Sequence, residues 1–350
     1  MTMMKALRKT RAAAGAQLES VPVPIPGAGE VLVRVRAASI CGTDLHIYQW
    51  DEWSQSRIRP PLTFGHEFCG VVEKTGAGTE SVAEGDFVSA EMHIADGHCR
   101  ACRMGQPHLC QNVKIAGIDV DGCFAEFVKL PAQNIWKVHP SIPEHYAAIL
   151  DPLGNAVHSV LAAPISGQTA VVTGCGPIGL MAIAVAKASG CSALFATEVN
   201  EYRRGLARQM GADEAIDPAA TDVVRYVRDA TGGAGVDVLL EMSGNPHAIR
   251  QGFQMLRQGG RASLLGIPSR PVELDLVSDV IFKGATVLGI YGRKMFETWV
   301  QMDELLRAGK LNLEPLFHER LPLKRFEDAF ALLAAGKANK ILFYPNGNPS

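Results

Sequence analysis

Between Cys41 and Glu67 the chain reads Cys-Gly-Thr-Asp-Leu-His at one end and Gly-His-Glu at the other. A thiol, an imidazole and a carboxylate are ligand types that zinc accepts, and a catalytic zinc keeps one position open for water or substrate. Cys41, His66 and Glu67 are therefore candidate metal ligands, provided that a loop returns the chain so that they meet. Thr43 and His46 set a hydroxyl and a second imidazole beside the thiol, and Gly65 lets the backbone come close before His66. The plainer alternative is a buried cysteine with a packed core histidine. The crowd of titratable types in an otherwise apolar stretch favours chemistry.

A second cluster follows at Asp96-Gly-His-Cys99-Arg-Ala-Cys102, with Cys110 beyond it. A Cys-x-x-Cys pair with a further cysteine nearby suits a knuckle in which a tight turn aims neighbouring sulfurs at one tetrahedral ion. The fourth ligand is open. The Asp96 carboxylate is the preferred candidate, with His98 and His108 as alternatives.

In the middle of the chain, Thr169-Ala-Val-Val-Thr runs into Gly174-Cys-Gly176-Pro177-Ile178-Gly179 and then into an apolar stretch with helical spacing. Strand, glycine turn and helix in that order let the backbone approach a pyrophosphate at a helix N-terminus. A second strand ends at Glu198, 198 − 174 = 24 residues after the first glycine, where an acid accepts from the ribose hydroxyls and repels a 2′-phosphate. NAD is expected over NADP. Arg203 is the competing signal, since arginine nearby can hold that phosphate.

These residues need scaffolds. Val31-Leu-Val-Arg-Val-Arg alternates like a half-buried strand, and short strands at 71–74, 85–89 and 123–128 broken by glycine predict a barrel-like β unit without a substantial helix before about residue 143. The opening cluster is then expected on loops. Met4 to Lys9 reads as a first strand in preference to a transit peptide. From residue 169 onward six strands alternate with helical segments such as 200–210 and 246–257, which predicts a doubly wound parallel sheet. Ser243, Leu265, Gly266, Ile267, Ile290 and Tyr291 fall at strand C-termini, on the path toward a nicotinamide. Asp151 before Pro152 reads as a helix cap, and His158 as a packed residue of that helix. Helices at 299–308 and 326–335 and a strand at 341–344 are expected to return to the first domain. The domains are accordingly 1–153, 154–294 and a return segment 295–350.

Composition narrows the partners. The 350 residues carry a formal charge of −2 with both signs interspersed, which disfavours nucleic acid and anionic membrane surfaces. The longest apolar stretch, near Leu180, is far shorter than the ~18 residues of a membrane span. Eight cysteines, three of them clustered, suggest metal in a reducing compartment, so a cytoplasmic protein with a small-molecule substrate is expected.

With both halves in view the chain resembles the zinc-containing medium-chain dehydrogenase/reductase family over nearly its full length. The resemblance rests on Tyr48-Gln-Trp-Asp-Glu-Trp53, Gly65-His-Glu67, Asp151-Pro-Leu-Gly-Asn-Ala-Val-His158 and Tyr291-Gly-Arg-Lys-Met-Phe-Glu-Thr-Trp299. It implies an α/β protein with a GroES-like β-barrel catalytic domain and a Rossmann coenzyme domain. It also implies a catalytic zinc on Cys41, His66 and Glu67, with Asp151 as a further acid near the metal and Glu67 able to leave as substrate enters. Thr43 and His46 would carry a proton outward through the cofactor ribose, and His93 would line the substrate pocket. The family's structural zinc uses four cysteines, so Asp96 is a departure, with retention of a metal on three sulfurs and one oxygen the favoured outcome. The activity implied is oxidation of the secondary alcohol of L-threonine to L-2-amino-3-oxobutanoate with hydride transfer to NAD+, in a homotetramer. A polyol or butanediol dehydrogenase is the alternative among enzymes. A zinc-binding module that contacts nucleic acid is the alternative from another class, and the charge balance weighs against it.

Overall fold

The computed structural model describes residues 2–347, which divide into two units. One runs from the N-terminus to Asp151 and takes in Lys294–Trp299 and the chain from Phe317 onward, and the other comprises Pro152–Arg293 and Val300–Leu316. The segment Val300–Leu316 is thus not part of the return to the first unit expected for 295–350. Its buried Leu311, Leu313 and Leu316 keep it with the second unit, where the turn Glu314–Leu316 packs on the helix Glu201–Gln209.

In the first unit, strand Glu30–Ser39 is the axis. Val31, Val33 and Val35 are fully buried while Arg34 and Arg36 face solvent, the period-two pattern of a strand with one dry face. It pairs antiparallel with Glu67–Thr75, Phe127–Pro131 and Lys340–Tyr344, within a sheet of seven strands. Met3–Lys9 is a strand as its pattern predicts, in a smaller three-stranded sheet. Residues 123–126 differ from expectation. Instead of a regular strand, Cys123 and Phe124 donate their N–H groups to Gly65 and Phe64 carbonyls at 2.9 and 3.0 Å.

Helices do occur before residue 143, at Gly42–Gln49 and Glu52–Arg57. The first is set by its ends rather than by an apolar stripe. The Cys41 N–H donates to Asp44 Oδ2 at 2.9 Å, and Trp50 closes the C-terminus in the left-handed region at φ 62. Only Asp44 and Ile47 are buried along it, so periodicity carried no sign of it. Thr43 and His46 consequently sit on a helix and not on a loop.

The second unit is the doubly wound sheet. Its strands Thr169–Thr173, Ala193–Thr197, Glu214–Ile216, Val236–Glu241, Leu256–Leu264 and Thr286–Gly289 are all parallel. They lie in the spatial order third, second, first, fourth, fifth, sixth, with the turn from first to fourth marking the switch point where such sheets bind ligands. The central strand has an apolar middle, as burial on both faces requires: Ala170, Val171 and Val172 are fully buried. The last strand forms one edge and is largely exposed. Among the described residues no helix is long and apolar enough to cross a membrane.

Candidate active site

The first unit brings Cys41, His66 and Glu67 together, each offering a donor atom within 4.8 Å of the others. Cys41 ends one strand's exit and opens the helix Gly42–Gln49, while Glu67 starts the strand paired with Glu30–Ser39. His66 is held from behind by a crossing of backbones. Gly65 has φ +94, and a β-carbon there would lie 2.4 Å from the Phe124 ring. Gly117 and Gly122 pass so close to the Gly65 carbonyl that β-carbons on them would sit 2.3 and 2.0 Å from its oxygen. Gly65→Ala is therefore expected to cost roughly 2–4 kcal/mol from the left-handed backbone and the overpacking together. It should also displace His66, which would appear as lost metal content beside a lowered melting temperature.

The donor set fits a cation. Glu67 Oε1 and His66 Nδ1 are buried without a hydrogen-bond partner. Asp44, fully buried, stands 3.4 Å from His66 Nδ1, a charge contact that turns Nε2 away from it. Burial pulls the His66 pKa down, but the Asp44 carboxylate and the Cys41 thiol outweigh it and hold the imidazole well above its ordinary value. The pocket asks for positive charge on this ring, and a metal ion supplies it as well as a proton does. Glu67 has a second partner. Its Oε2 is bound by the ammonium of Lys340, itself buried, which also donates to the Ile40 carbonyl at 3.2 Å.

Around this set, the Thr43 hydroxyl lies 3.8 Å from Cys41 Sγ. His46 Nδ1 is 2.6 Å from Asp51 Oδ2 on an exposed surface. Asp151 is in the first turn of the helix Leu150–Leu161, inside it and not at the cap position expected. Its carboxylate is grouped with Glu91 and His93, within 4.8 Å of both. His158 is packed as expected, with Nδ1 2.9 Å from the Gly292 carbonyl oxygen.

The second cluster also assembles. Asp96, Cys99, Cys102 and Cys110 present donor atoms within 4.8 Å of one another. Asp96 Oδ1 accepts from the His98 and Cys99 amides at 2.9 Å each, and Oδ2 accepts from Asn112 at 2.6 Å. The Cys99 amide, Asn112 and the His98 amide together hold the Asp96 carboxyl well below the usual carboxylate range. It is ionised and aimed by its own loop. Burial and the neighbouring Cys99 thiol push Cys102 up to about 12, while backbone donors at Cys102 and Gln111 pull Cys99 down. Two thiolates side by side are costly, and a dication between them removes the cost. His98 is mostly exposed with Nδ1 bonded to the Asp96 carbonyl, so it is not grouped with the thiols. Asp96→Ala should lower the metal held by this knuckle and leave that at Cys41 in place, whereas Asp96→Cys should keep both; metal content per chain separates the outcomes.

In the second unit, Gly174 has φ +88, and a β-carbon on it would lie 2.7 Å from that of Ser243. A β-carbon on Gly179 would sit 2.0 Å from the Gly174 carbonyl oxygen, while Gly176 has nothing within 4 Å of its own. The turn is thus tight where it must pack and open where a pyrophosphate would lie, at the N-terminus of Pro177–Ala188. Pro177 and Ile178 begin that helix. A cavity of 330 Å³ adjoins it, lined by Gly174, Thr197, Glu198, Ser243 and Ala248 among others. Glu198 differs from the simple expectation. Its two oxygens already accept from the Cys175 and Asn200 amides, at 2.8 and 3.0 Å, so it braces the glycine turn as well as facing the cavity. Arg204 grips this loop through the Glu198 and Val199 carbonyls, while Arg203 keeps a buried Nε without a hydrogen-bond partner. The Leu265 and Gly266 amides donate to the Glu241 carbonyl and Ile290 to that of Leu264; Ile267 and Tyr291 are exposed.

Sequence reasoning missed Asp44, Glu91, Glu241 and Lys340. Asp44 was findable, since an acid three residues after Cys41 is capping-box spacing. Glu241 is fully buried and accepts from Thr173, Ser243 and Gly244, tying the ends of two neighbouring strands. Lys340 approaches from the far end of the chain, and its placement has no local signature.

Known proteins are similar to this chain in sequence and in fold. Residues 27–140 match the family model of the alcohol dehydrogenase GroES-like domain, and residues 177–308 that of zinc-binding dehydrogenases. An L-threonine 3-dehydrogenase of Pyrococcus abyssi is 52% identical over 341 residues, 97% of this chain and 98% of that protein. One from Bacillus subtilis is 48% identical over 342 residues, 98% of this chain and 99% of that protein. Among solved structures, the 2R,3R-butanediol dehydrogenase of Bacillus subtilis superposes with a TM-score of 0.89 at 30% identity, over 98% of this chain and 100% of that one. An Escherichia coli alcohol dehydrogenase in complex with NADH superposes with a TM-score of 0.90 at 26% identity, again over 98% and 100%. Likeness of this extent runs through both units and takes in the thiol, imidazole and glycine-turn segments alike, so the chain belongs to the zinc-containing medium-chain dehydrogenase/reductase family.

Proposed function

We propose that the protein oxidises the secondary alcohol of L-threonine to L-2-amino-3-oxobutanoate, with NAD+ as hydride acceptor and zinc held by Cys41, His66 and Glu67. The observation that carries this reading is the full-length likeness to L-threonine 3-dehydrogenases, supported by a donor set in which Glu67 Oε1 is buried without a hydrogen-bond partner. Bound there, zinc would act as a Lewis acid that favours loss of the hydroxyl proton. The chain's own residues supply the rest. Cys41 and His66 present a thiolate and a ring nitrogen, and Asp44 orients the ring. Thr43 would accept the hydroxyl proton through a hydrogen bond while its own proton passes by way of the cofactor ribose to His46, which is exposed beside Asp51 and would release it to solvent. Positioned transfer of this kind contributes ~10²–10⁴-fold. Gly174, Gly176 and Gly179 would receive the pyrophosphate and Glu198 the ribose, which favours NAD over NADP. His93 and Asp151 would face the substrate. A second metal on Asp96, Cys99, Cys102 and Cys110 would be structural.

The second reading, a butanediol or polyol dehydrogenase, is favoured by the likeness to the butanediol enzyme. Turnover of L-threonine against 2,3-butanediol and sorbitol with NAD+, measured beside zinc per chain, separates them; a higher kcat/KM on either diol overturns the threonine reading. We also propose a cytoplasmic homotetramer. Eight free thiols suit a reducing compartment. The exposed Ile281, Phe282, Val287 and Tyr291 around the edge strand Thr286–Gly289 suit self-association.

A further inference from the structure

Glu91 is fully buried, and its carboxylate is met by N–H donors. Oε2 accepts from the Trp299 indole at 3.0 Å. Oε1 accepts from the His93 backbone amide at 2.9 Å and lies 3.0 Å from His93 Nδ1. Donors aimed at both oxygens favour the ionised carboxylate, which has no proton to give. The Nδ1 contact must then be Nδ1–H donating to Glu91, and a neutral ring in that tautomer carries its lone pair on Nε2. The pair is fixed from two further sides. Asn134, buried, donates through Nδ2 to the Glu91 and His93 carbonyls at 2.6 and 3.0 Å, and its own carbonyl accepts from the Glu91 amide at 2.8 Å. Trp299 is fully buried with its ring 5.7 Å from that of Trp136. Neither the backbone nor the indole is arranged to let the carboxylate turn.

We propose that Glu91 is a positioning residue for the oxidation. It holds His93 in the Nδ1–H tautomer so that Nε2 faces the substrate as a hydrogen-bond acceptor, and Trp299 holds Glu91. The proposal rests on the reading of His93 as a substrate-facing group. The acceptor suits the N–H and O–H donors of an amino alcohol or a diol, and it would be lost if the ring offered Nε2–H instead. Asp151 shares the group with His93 and Glu91, so a doubly protonated ring between two carboxylates is the competing arrangement.

A pair of mutant cycles on the zinc-loaded full chain tests this, run on whichever of L-threonine, 2,3-butanediol and sorbitol the wild type turns over best. Failure of the threonine reading then shows in the choice of substrate and not in the cycles. Glu91→Gln keeps the shape but has one acceptor and one donor end, so it cannot satisfy both Trp299 and His93. Losing a group that orients another costs ~10–100-fold, here expected in kcat/KM. Trp299→Phe removes the indole donor, leaving the carboxamide oxygen free to turn to His93, so the double variant Glu91→Gln/Trp299→Phe should recover most of the loss. In a His93→Ala background Glu91→Gln should cost nothing further. A merely structural Glu91 predicts the opposite, with the double variant worse than either single and the same loss with or without His93. That result, full activity of Glu91→Gln, or failure of both the single and the double variant to melt cooperatively would overturn the proposal. A doubly protonated ring predicts no rescue by Trp299→Phe, and that outcome too overturns it.

Discussion

Cys41→Ser is expected to release the metal of the first site and to lower kcat/KM for alcohol oxidation by about 10³-fold or more. Lewis-acid stabilisation of a developing alkoxide is worth several kcal/mol, and each ~1.36 kcal/mol is tenfold in rate. A serine hydroxyl is not the sulfur ligand that zinc accepts, so the donor set loses its sulfur while the surrounding fold keeps its shape. Metal analysis should find the knuckle at Asp96 to Cys110 still loaded in the variant, because its donors are separate from those at Cys41. A variant with both its metal complement and its oxidation rate intact would remove Cys41 from the centre.

The second large effect concerns stability. Lys340→Met should destabilise the metal-free chain by about 3–5 kcal/mol, the cost of leaving a buried charge without its partner. Glu67 is 1% exposed, and Lys340 is the cation at its Oε2. Zinc bound at Glu67 would supply positive charge of its own, so the deficit should shrink when the site is saturated. Urea unfolding with zinc and with chelator measures both values. Equal losses in the two conditions would mean that Glu67 and the metal do not share a charge balance.

Much of the architecture was legible because its signals are local. The strand at Val31 to Val35, the glycine turn at Gly174 to Gly179 and the cysteine knuckle each repeat a short pattern with one physical meaning. The helix at Gly42 was not legible, because two end residues stabilise it and its exposed length has no apolar period. For the same reason Thr43 and His46 could be named as reactive types but not placed. The residues that complete the site from a distance left no trace. Lys340 looks like any lysine beside a strand until that strand pairs with Glu30–Ser39 and carries it to Glu67. Asp96 shows the reverse. Its departure from a cysteine pattern was visible at once, while its capacity to stand in depends on three donors that only the folded loop brings to it.

The two clusters differ in when their order is acquired. At His66 the strands of the first unit and the glycine crossing at Gly65, Gly117 and Gly122 immobilise the loop as part of folding, so its conformational entropy is spent before any ion would arrive. Metal would then come and go at that site with little expected change in the surrounding amide protection. The loop from Asp96 to Cys110 is held by turn hydrogen bonds around short helices, and there a bound ion would contribute to the order of the backbone itself. A chelator should therefore strip activity from one site while leaving its protection against hydrogen exchange, and raise local exchange at the other.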